Sequence, residues 1–440
     1  MKIVYRFAEL VLLLACLAAW VAMSWPVALA LALLGSAWLL LARSGGLTRA
    51  VVATGLSTLH RRMGASLVVV VGIAGVVGVL VALLSMAQGY GETMRRSGNA
   101  STAIVTRGGS ASEVTSVLDR QSVTLIAQAP GIRRDARGEP LVSAELVVGA
   151  LLPLKSRPAN REGGGVQIRG VGDQAWSVRP LVHVVAGRRF QPGLHELVVG
   201  QGAARQYAGL EPGREVRLGN QAWTVVGVFA SGDAMESEVW ADAAQLADTY
   251  RRGASRSSVV AQLIDEHAFN DFKSALQADP QLRVDISTTL DYFTRQSAGL
   301  TTVIRVVGMV VGIIMAGGAI ASALNTMFSV VTSRAREIAT LRAIGFSGVP
   351  VVAAVMLETM LLALAGGIVG GFVAWLAFDG YSASTRVTGT VGLQNFQLHV
   401  DPTLLWTGLK WALAVGFVGG LFPALRAARL PIATALREVH

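Results

Sequence analysis

The sequence predicts a membrane α-helical bundle that carries a large mixed α+β domain outside the membrane. Of its 440 residues 52% are hydrophobic and only 15% are charged, with a mean hydropathy of +0.52. Four apolar runs reach the ~20 residues that a helix needs to cross a bilayer. Between the first two runs, residues 90–300 contain alternating, valine-rich segments that are typical of strands.

The basic residues indicate how the chain is oriented. The net charge is +10, and most of the excess lies beside apolar runs, in residues 1–62, 331–348 and 424–440. Residues 90–300 are nearly neutral. This is the positive-inside pattern of membrane proteins. A nucleic-acid-binding protein would instead carry its basic residues on a folded domain, so we expect no nucleic acid as a partner.

The N-terminal region has its own pattern. Residues 1–49 form an apolar hairpin broken at Ser24-Trp25-Pro26, and we interpret them as two short spans, with an interfacial hairpin as the alternative. A cleaved signal peptide is disfavoured because the chain stays apolar long after Cys16. Residues 50–64 suit an amphipathic helix at the inner membrane surface.

The remaining boundaries follow from the apolar runs. Core span 1 is predicted at 65–89, the periplasmic domain at 90–300 and core span 2 at 301–330. A cytoplasmic segment at 331–348 is followed by core span 3 at 349–378, a short periplasmic loop at 379–403, core span 4 at 404–425 and a tail at 426–440. The positive-inside rule then places both termini in the cytoplasm and predicts a multi-pass membrane protein.

The domain at 90–300 is predicted to contain two subdomains because it has about 200 residues. Strands are expected at 166–171, 196–200, 215–218 and 222–229, and helices at 113–129, 242–249 and 267–276. It contains no Ser/His/Asp spacing, no HExxH and no paired-carboxylate motif. We therefore expect no catalytic residue, no metal site and a binding or docking role.

The spans are rich in glycine. Small residues let helices approach closely in lipid, so we predict helix packing at Gly308, Gly312, Gly366, Gly367, Gly370 and Gly371. None belongs to a G-x-x-x-x-G-K-[ST] sequence, and the 440 residues contain no such phosphate-binding loop. One acidic residue, Glu358, lies about ten residues inside span 3, where it needs a partner such as Arg342 or the end of a neighbouring helix.

The segment SRAREIATLRAIGFSG, residues 333–348, raises the main question about function. Ser333 can cap a helix, Ile338 and Leu341 share a face, and Gly345 can end the helix. A short amphipathic helix inside the cell and an ordinary loop whose arginines fix the orientation of the chain both fit this pattern.

Two motifs resemble the FtsX-like (MacB-type) permease family of ABC transporters. The family pattern R-E-I-(G/A)-x-L-(R/K)-A-(I/L)-G is followed by a Glu and paired glycines in the next span. The matching residues here are Arg336, Glu337, Ile338, Leu341, Arg342, Ala343, Ile344, Gly345, Glu358, Gly366 and Gly367. The family's C-terminal signature is matched by FPALRAARLPIATALRE, residues 422–438. The order of one span, a large outer domain and three spans also fits, whereas residues 1–49 are additional to it.

The resemblance implies a mechanotransmission (type VII) permease of the bacterial inner membrane, with a periplasmic outer domain and without its own catalytic site. Its coupling helix would contact a cytoplasmic ATPase subunit, which binds ATP and Mg²⁺, through Arg334, Arg336, Glu337, Ile338, Leu341, Arg342, Ile344 and Gly345. A second permease copy or a related permease, membrane lipid and a periplasmic adaptor are the other expected partners. We expect efflux or extraction of a peptide, antibiotic or lipid-linked substrate. The alternatives are control of a cell-wall hydrolase or peptide sensing, and lipoprotein release.

Overall fold

A computed structural model describes residues 19–20, 23–41, 63–156, 163–344, 348–386 and 392–429. The chain divides into two compact units. We call the first the membrane unit (Met1–Met86, Ile304–Asp379 and His399–His440) and the second the outer domain (Ala87–Val303 and Gly380–Leu398).

The helices and strands follow in chain order: α1 (Trp25–Leu41), α2 (Met63–Arg96), β1 (Thr102–Arg107), α3 (Arg120–Ala127), β2 (Val142–Leu152), β3 (Gly164–Val171), α4 (Ala175–Val178), β4 (His183–Gly187), β5 (Glu196–Gly200), α5 (Gln201–Gln206), β6 (Glu215–Leu218), β7 (Gln221–Ala230), β8 (Glu238–Asp242), α6 (Ala243–Thr249), β9 (Ser258–Gln262), α7 (Ala268–Ala278), β10 (Val284–Thr288), α8 (Thr289–Ser333), α9 (Ala335–Ala343), α10 (Gly348–Phe378), β11 (Ser382–Arg386), β12 (Leu393–Gln397) and α11 (Pro402–Ala428).

Four helices of the described chain are long and apolar enough to cross a membrane: α2, α8, α10 and α11. This confirms the predicted combination of a four-span bundle with a mixed α/β domain. All four helices are longer than the predicted spans, and the difference is largest for α2 and α8. α2 continues to Arg96 and α8 begins at Thr289, because helical geometry extends past the apolar residues into sequence that favours helix as well.

Glycines bring the spans of the membrane unit together. A Cβ atom at Gly370 would lie 2.4 Å from the carbonyl oxygen of Ala74 on α2, and one at Gly366 would lie 2.9 Å from Ile73 Cβ. The neighbouring pair faces α11, where a Cβ at Gly367 would lie 2.9 Å from Ala412 Cβ. Helix α10 therefore uses consecutive glycine pairs to contact two partners at once.

The other predicted packing glycines lie on α8 and α10. A Cβ at Gly308 or Gly312 would lie 3.1 Å from Leu83 or Leu80 on α2, respectively. A Cβ at Gly371 would lie 3.3 Å from Leu405 Cδ2 on α11. All six glycines thus lie at contacts between helices.

The N-terminal segment contacts α11 through two hydrogen bonds. Trp20 Nε1 donates to the carbonyl oxygen of Lys410 at 3.0 Å, and Lys410 Nζ donates to the carbonyl oxygen of Met23 at 3.2 Å. The buried Lys410 ammonium thereby gains an acceptor at the predicted helix break near Pro26. The first predicted short span and the interfacial helix at 50–64 lie almost entirely outside the described residues.

The outer domain is built on one twisted sheet with the strand order β10-β1-β9-β2-β3-β8-β5-β7-β4, with β6 pairing to β7. β2 joins its two halves, since Val142–Glu145 pair with β9 and Leu146–Leu152 pair with β3. Each half has its own hydrophobic core, one with Val105, Val259 and Phe272 and the other with Ile168 and Trp223.

The predicted strands and most of the predicted helices of this domain are present. β5 and β6 begin and end at the predicted residues, and Gly219 with Asn220 forms the turn between β6 and β7. The predicted helix at 113–129 is divided. A 3-10 turn, Glu113–Thr115, precedes α3, which Asp119 caps by accepting a hydrogen bond from the amide of Ser122.

The segment at 379–403, predicted as a short loop, contains the β11–β12 hairpin. Phe396 of β12 packs edge-to-face on Tyr90, and the amide of Asn395 donates to Ser237 Oγ at 2.8 Å. The prediction missed these strands because the segment is short and its polar alternation is weak. Its residues 380–398 belong to the outer domain.

We expect Gly370→Ala to lower the thermal unfolding temperature of the purified chain, because the new methyl group would overlap the α2 backbone at a cost of ~1–3 kcal/mol. Gly317→Ala is the matched control, since a Cβ there meets nothing within 4 Å. Equal unfolding temperatures for the two variants would contradict the close α2–α10 approach.

Candidate coupling site

Helix α9 lies directly after the long helix α8. Ser333 was predicted to cap it, but Ser333 is the last residue of α8 and its hydroxyl donates to the carbonyl oxygen of Val330 at 2.9 Å. Arg334 occupies the N-cap position instead and makes no capping hydrogen bond with its side chain. The two helices are thus separated by one residue, which leaves little freedom between them.

Arg334 is buried and forms two ion pairs. Its Nη1 lies 3.3 Å from Glu358 Oε2 on α10, and its Nε lies 3.1 Å from Glu337 Oε2 on α9. The pair with Glu358 joins the start of α9 to the third turn of α10. It also gives the acidic residue of this span an oppositely charged partner, which we had expected to be Arg342 or a helix end.

The apolar face of α9 is turned toward the bundle. Ile338 is 5% exposed and belongs to a cluster contributed by α8, α9, α10 and α11, with Val331, Val351, Val355, Ala424 and Ala427. Ile338 was expected among the residues that contact an ATPase subunit, and within this chain its side chain packs against the bundle. Its burial is favoured because the hydrophobic ends of three spans lie within reach of this short helix.

The opposite face of α9 is exposed. It carries Arg336, Glu337 and Thr340, and Ile344 follows at its C-terminal end with 72% of its surface exposed. Arg342 is half-buried. Gly345 and the side chain of Leu341 lie outside the described part of the structure. A large exposed aliphatic residue beside a basic residue is a suitable contact for a partner protein.

A buried ionic cluster in the outer domain was not anticipated. Arg169 on β3 is 1% exposed and donates to the carboxylates of Glu113, Glu145 and Glu238 at 2.7–3.0 Å. Arg179 also donates to Glu145. An arginine inside the apolar run VQIRGV was the available sequence signal, but nothing in the sequence identified its three partners.

The cluster lies where the two halves of the sheet meet. Glu145 pairs with Ser258 of β9, and the next residue, Leu146, pairs with Gly170 of β3. The backbone amide of Glu113 donates to the hydroxyl of Tyr292 in the first turn of α8 at 3.1 Å. Arg169 therefore connects segments that also contact the beginning of a spanning helix.

Burial and charge perturb two carboxyl groups in this region. Burial alone would raise the pKa of Glu145, but the charges and hydrogen bonds of Arg179 and Arg169 outweigh it and lower this pKa to about 2. Burial raises the pKa of Asp233 to about 6, although hydrogen bonds from Ser231 and Met235 act in the opposite direction.

Within the described ranges there is no group of three or more His, Cys, Asp or Glu side chains arranged to hold a metal ion. The perturbed carboxyl groups are enclosed in the outer domain and engaged by arginine, serine or backbone donors. Their arrangement is that of a structural ionic cluster.

Two family models match the chain. The MacB-like periplasmic core domain matches residues 65–279, and the FtsX-like permease C-terminal domain matches residues 309–432. Together they cover about three quarters of the sequence, in the order that the four spans and the outer domain require. The chain belongs to the MacB/FtsX-like family of ABC transporter permeases. It is accordingly a multi-span membrane protein with a periplasmic domain.

Curated members of the MacB/FtsX-like family are similar over part of their length. The macrolide export ATP-binding/permease protein MacB of Photorhabdus laumondii is 24% identical over 243 residues, which are 51% of this chain and 35% of that protein. The uncharacterized ABC transporter permease YknZ of Bacillus subtilis is 27% identical over 180 residues, 38% of this chain and 42% of that protein. The chain thus spans well under half the length of the curated relatives it matches.

Two solved structures from the MacB/FtsX-like family are also similar. The periplasmic region of MacB from Actinobacillus actinomycetemcomitans aligns with 46% of this chain and 95% of its own, at 13% identity and a TM-score of 0.34. The extracellular domain of YknZ from Gram-positive bacteria aligns with 42% of this chain and 100% of its own, at 15% identity and a TM-score of 0.32.

We expect Arg334→Met to destabilise the permease more than Arg336→Met. The first change removes the Arg334 partner of Glu358, whose side chain is only 13% exposed, and breaking such a largely buried ion pair costs up to ~3 kcal/mol, whereas Arg336 is exposed. Thermal unfolding of the two purified variants measures the difference. Equal losses would show that the Arg334–Glu358 pair does not hold the start of α9.

We expect the outer domain of the full chain to become more stable between pH 7.5 and pH 5.5. The folded-state pKa of Asp233, about 6, lies above its ordinary value of 3.8. Its contribution is therefore complete below pH 3.8 and is lost as the pH rises through 6. Hydrogen exchange of β8 amides at the two pH values measures this change, and Asp233→Asn should remove most of it. A variant with an unaltered pH dependence would contradict the assignment to Asp233.

Proposed function

We propose that this chain is the membrane subunit of an ABC transporter in which a partner ATPase drives movement of the outer domain through α9. The observation that carries the proposal is the two-sided character of α9. Its buried face is fixed to the bundle by Ile338 and by the Arg334–Glu358 pair, while Arg336, Thr340 and Ile344 are exposed.

The exposed face is the proposed contact with the ATPase. A force applied to it would pass to α10 through the ion pair with Glu358 and to α8 through the single connecting residue. Helix α8 is continuous from Thr289 to Ser333 and supplies residues to both units. Of the eight residues between Arg334 and Gly345 that we expected to contact the ATPase, the proposal keeps the exposed Arg336 and Ile344 and adds Thr340.

The energy source is proposed to be ATP and Mg²⁺ bound by that partner. The 440 residues contain no phosphate-binding loop, and the names of several relatives combine ATP binding with a permease. The permease itself would be non-catalytic. We place the protein in the inner membrane, and the positive-inside rule supports a cytoplasmic position for both termini and for α9.

Export is the activity that the comparisons favour, since several similar proteins are named as macrolide export proteins. For this chain we propose efflux or extraction of an antibiotic, a peptide or a lipid-linked molecule. A second permease copy, a periplasmic adaptor and surrounding lipid complete the proposed assembly. Regulation of a cell-wall hydrolase and lipoprotein release stay as alternatives.

We expect Arg336→Glu combined with Ile344→Asp to reduce ATPase co-purification with the tagged permease at least about tenfold, because two residues of a contact often contribute more than 1.4 kcal/mol together. The partner is the ATPase that co-purifies with the unmodified chain from its native membrane. Thr332→Glu is the control, because it adds an acidic residue at an exposed position just before α9.

Normal co-purification and normal ATPase stimulation by the double variant would contradict the proposed contact face. Thermal unfolding of the double variant should match that of the unmodified chain, since both side chains are exposed. This measurement separates a lost contact from a lost fold.

A further inference from the structure

A groove opens between α10 and α11 near the ends that flank residues 380–398. It has a volume of ≈ 690 Å³ and is lined mainly by apolar side chains, among them Ile368, Phe372, Trp375 and Trp406. This volume lies within the range of ~300–1,000 Å³ that accommodates small organic ligands. The groove belongs entirely to the membrane unit.

Sequence explains the shape of the groove. Gly367 and Gly371 present no side chains toward it, whereas Phe372 and Trp375 form one wall with ring centroids 6.1 Å apart. On α10 the lining residues extend from Gly367 to Trp375, which is ~12 Å along the helix. This length is under half of a hydrocarbon core that is ~30 Å thick.

Trp406 lines the groove and carries a buried donor that lacks an acceptor among the described residues. Trp406 Nε1, one turn into α11, is buried and has no hydrogen-bond partner among the described residues. Buried indole N–H groups normally have an acceptor. An ester carbonyl of a bound lipid would supply it at the depth where membrane tryptophans usually lie.

The rim of the groove is acidic. His399 lines the groove, with its Nδ1 2.9 Å from Asp379 Oδ1 and its Nε2 2.9 Å from Asp401 Oδ1. Whether the His399 imidazole is neutral or charged, the carboxylates of Asp379 and Asp401 give these three side chains a net negative charge. A positively charged group is favoured here, and a headgroup whose only charge is a phosphate is disfavoured.

We propose that this groove binds a phospholipid with a primary ammonium headgroup, of the phosphatidylethanolamine type, from the surrounding leaflet. An acyl chain occupies the aromatic groove, an ester carbonyl accepts from Trp406, and the ammonium group lies beside Asp379 and Asp401. The inference goes beyond the proposed transport function and does not depend on the ATPase.

The test uses the full chain in nanodiscs with equal amounts of phosphatidylethanolamine and phosphatidylglycerol, followed by native mass spectrometry of retained lipid. We expect at least about five times as much retained phosphatidylethanolamine as phosphatidylglycerol, because an ion pair worth about 1 kcal/mol changes an equilibrium constant about fivefold. Equal retention, or a preference for phosphatidylglycerol, would overturn the headgroup assignment.

Ile368→Trp should fill the groove and reduce retained lipid at least about fivefold. Val369→Trp is the matched control, because it adds the same side chain at the next position of α10, which is exposed but does not line the groove. Equal retention by the two variants would overturn the groove as the binding site. Their unfolding temperatures are measured alongside, so that a folding defect is recognised.

The headgroup contact has its own variant. Asp379→Asn with Asp401→Asn keeps the hydrogen-bonding oxygens and removes both charges. We expect the ratio of retained phosphatidylethanolamine to phosphatidylglycerol to fall toward one. The total amount of retained lipid should change less than in Ile368→Trp. An unchanged preference would show that the acidic rim does not select the lipid.

Discussion

The ion pair between Arg334 and Glu358 is the constraint on which the α9 end of the membrane unit depends. A carboxylate inside an apolar span is costly without a partner, and an arginine at the start of a short helix supplies one at 3.3 Å. The pair fixes where α9 begins, and the burial of Ile338 fixes which face of α9 is turned inward. The exposed face follows from these two contacts.

The glycines of α10 act with this pair. Close approach at Gly366 and Gly370 joins α10 to α2, and the adjacent Gly367 and Gly371 join it to α11. Because the backbones are in near contact, α10 has little room to shift alone. A displacement of α9 would therefore move several helices together. In the outer domain, the Arg169 cluster has a comparable role, since it joins the two halves of the sheet.

Sequence predicted the spans well because they depend on a local pattern, the length of an apolar run. For residues 333–348 the pattern left a short helix and a loop open, and the resemblance to the FtsX-like permeases favoured the helix. It predicted strands such as Glu196–Gly200 for the same reason. It did not predict the partner of Glu358, the inward direction of Ile338 or the partners of Arg169. Each of these contacts joins residues that are far apart in the chain, such as Arg169 and Glu238. A local sequence pattern does not indicate which distant residues come into contact.

The most direct test of the account measures whether α9 and α10 move as one body. Spin labels at positions 343 and 361, both exposed, are introduced in a Cys16→Ala background, and their separation is measured by double electron–electron resonance in the complex with the ATPase. If α9 is rigidly attached to α10, the labels give one narrow distance distribution that is the same with and without ATP and Mg²⁺. A distribution that shifts or broadens with nucleotide would contradict the rigid attachment of α9.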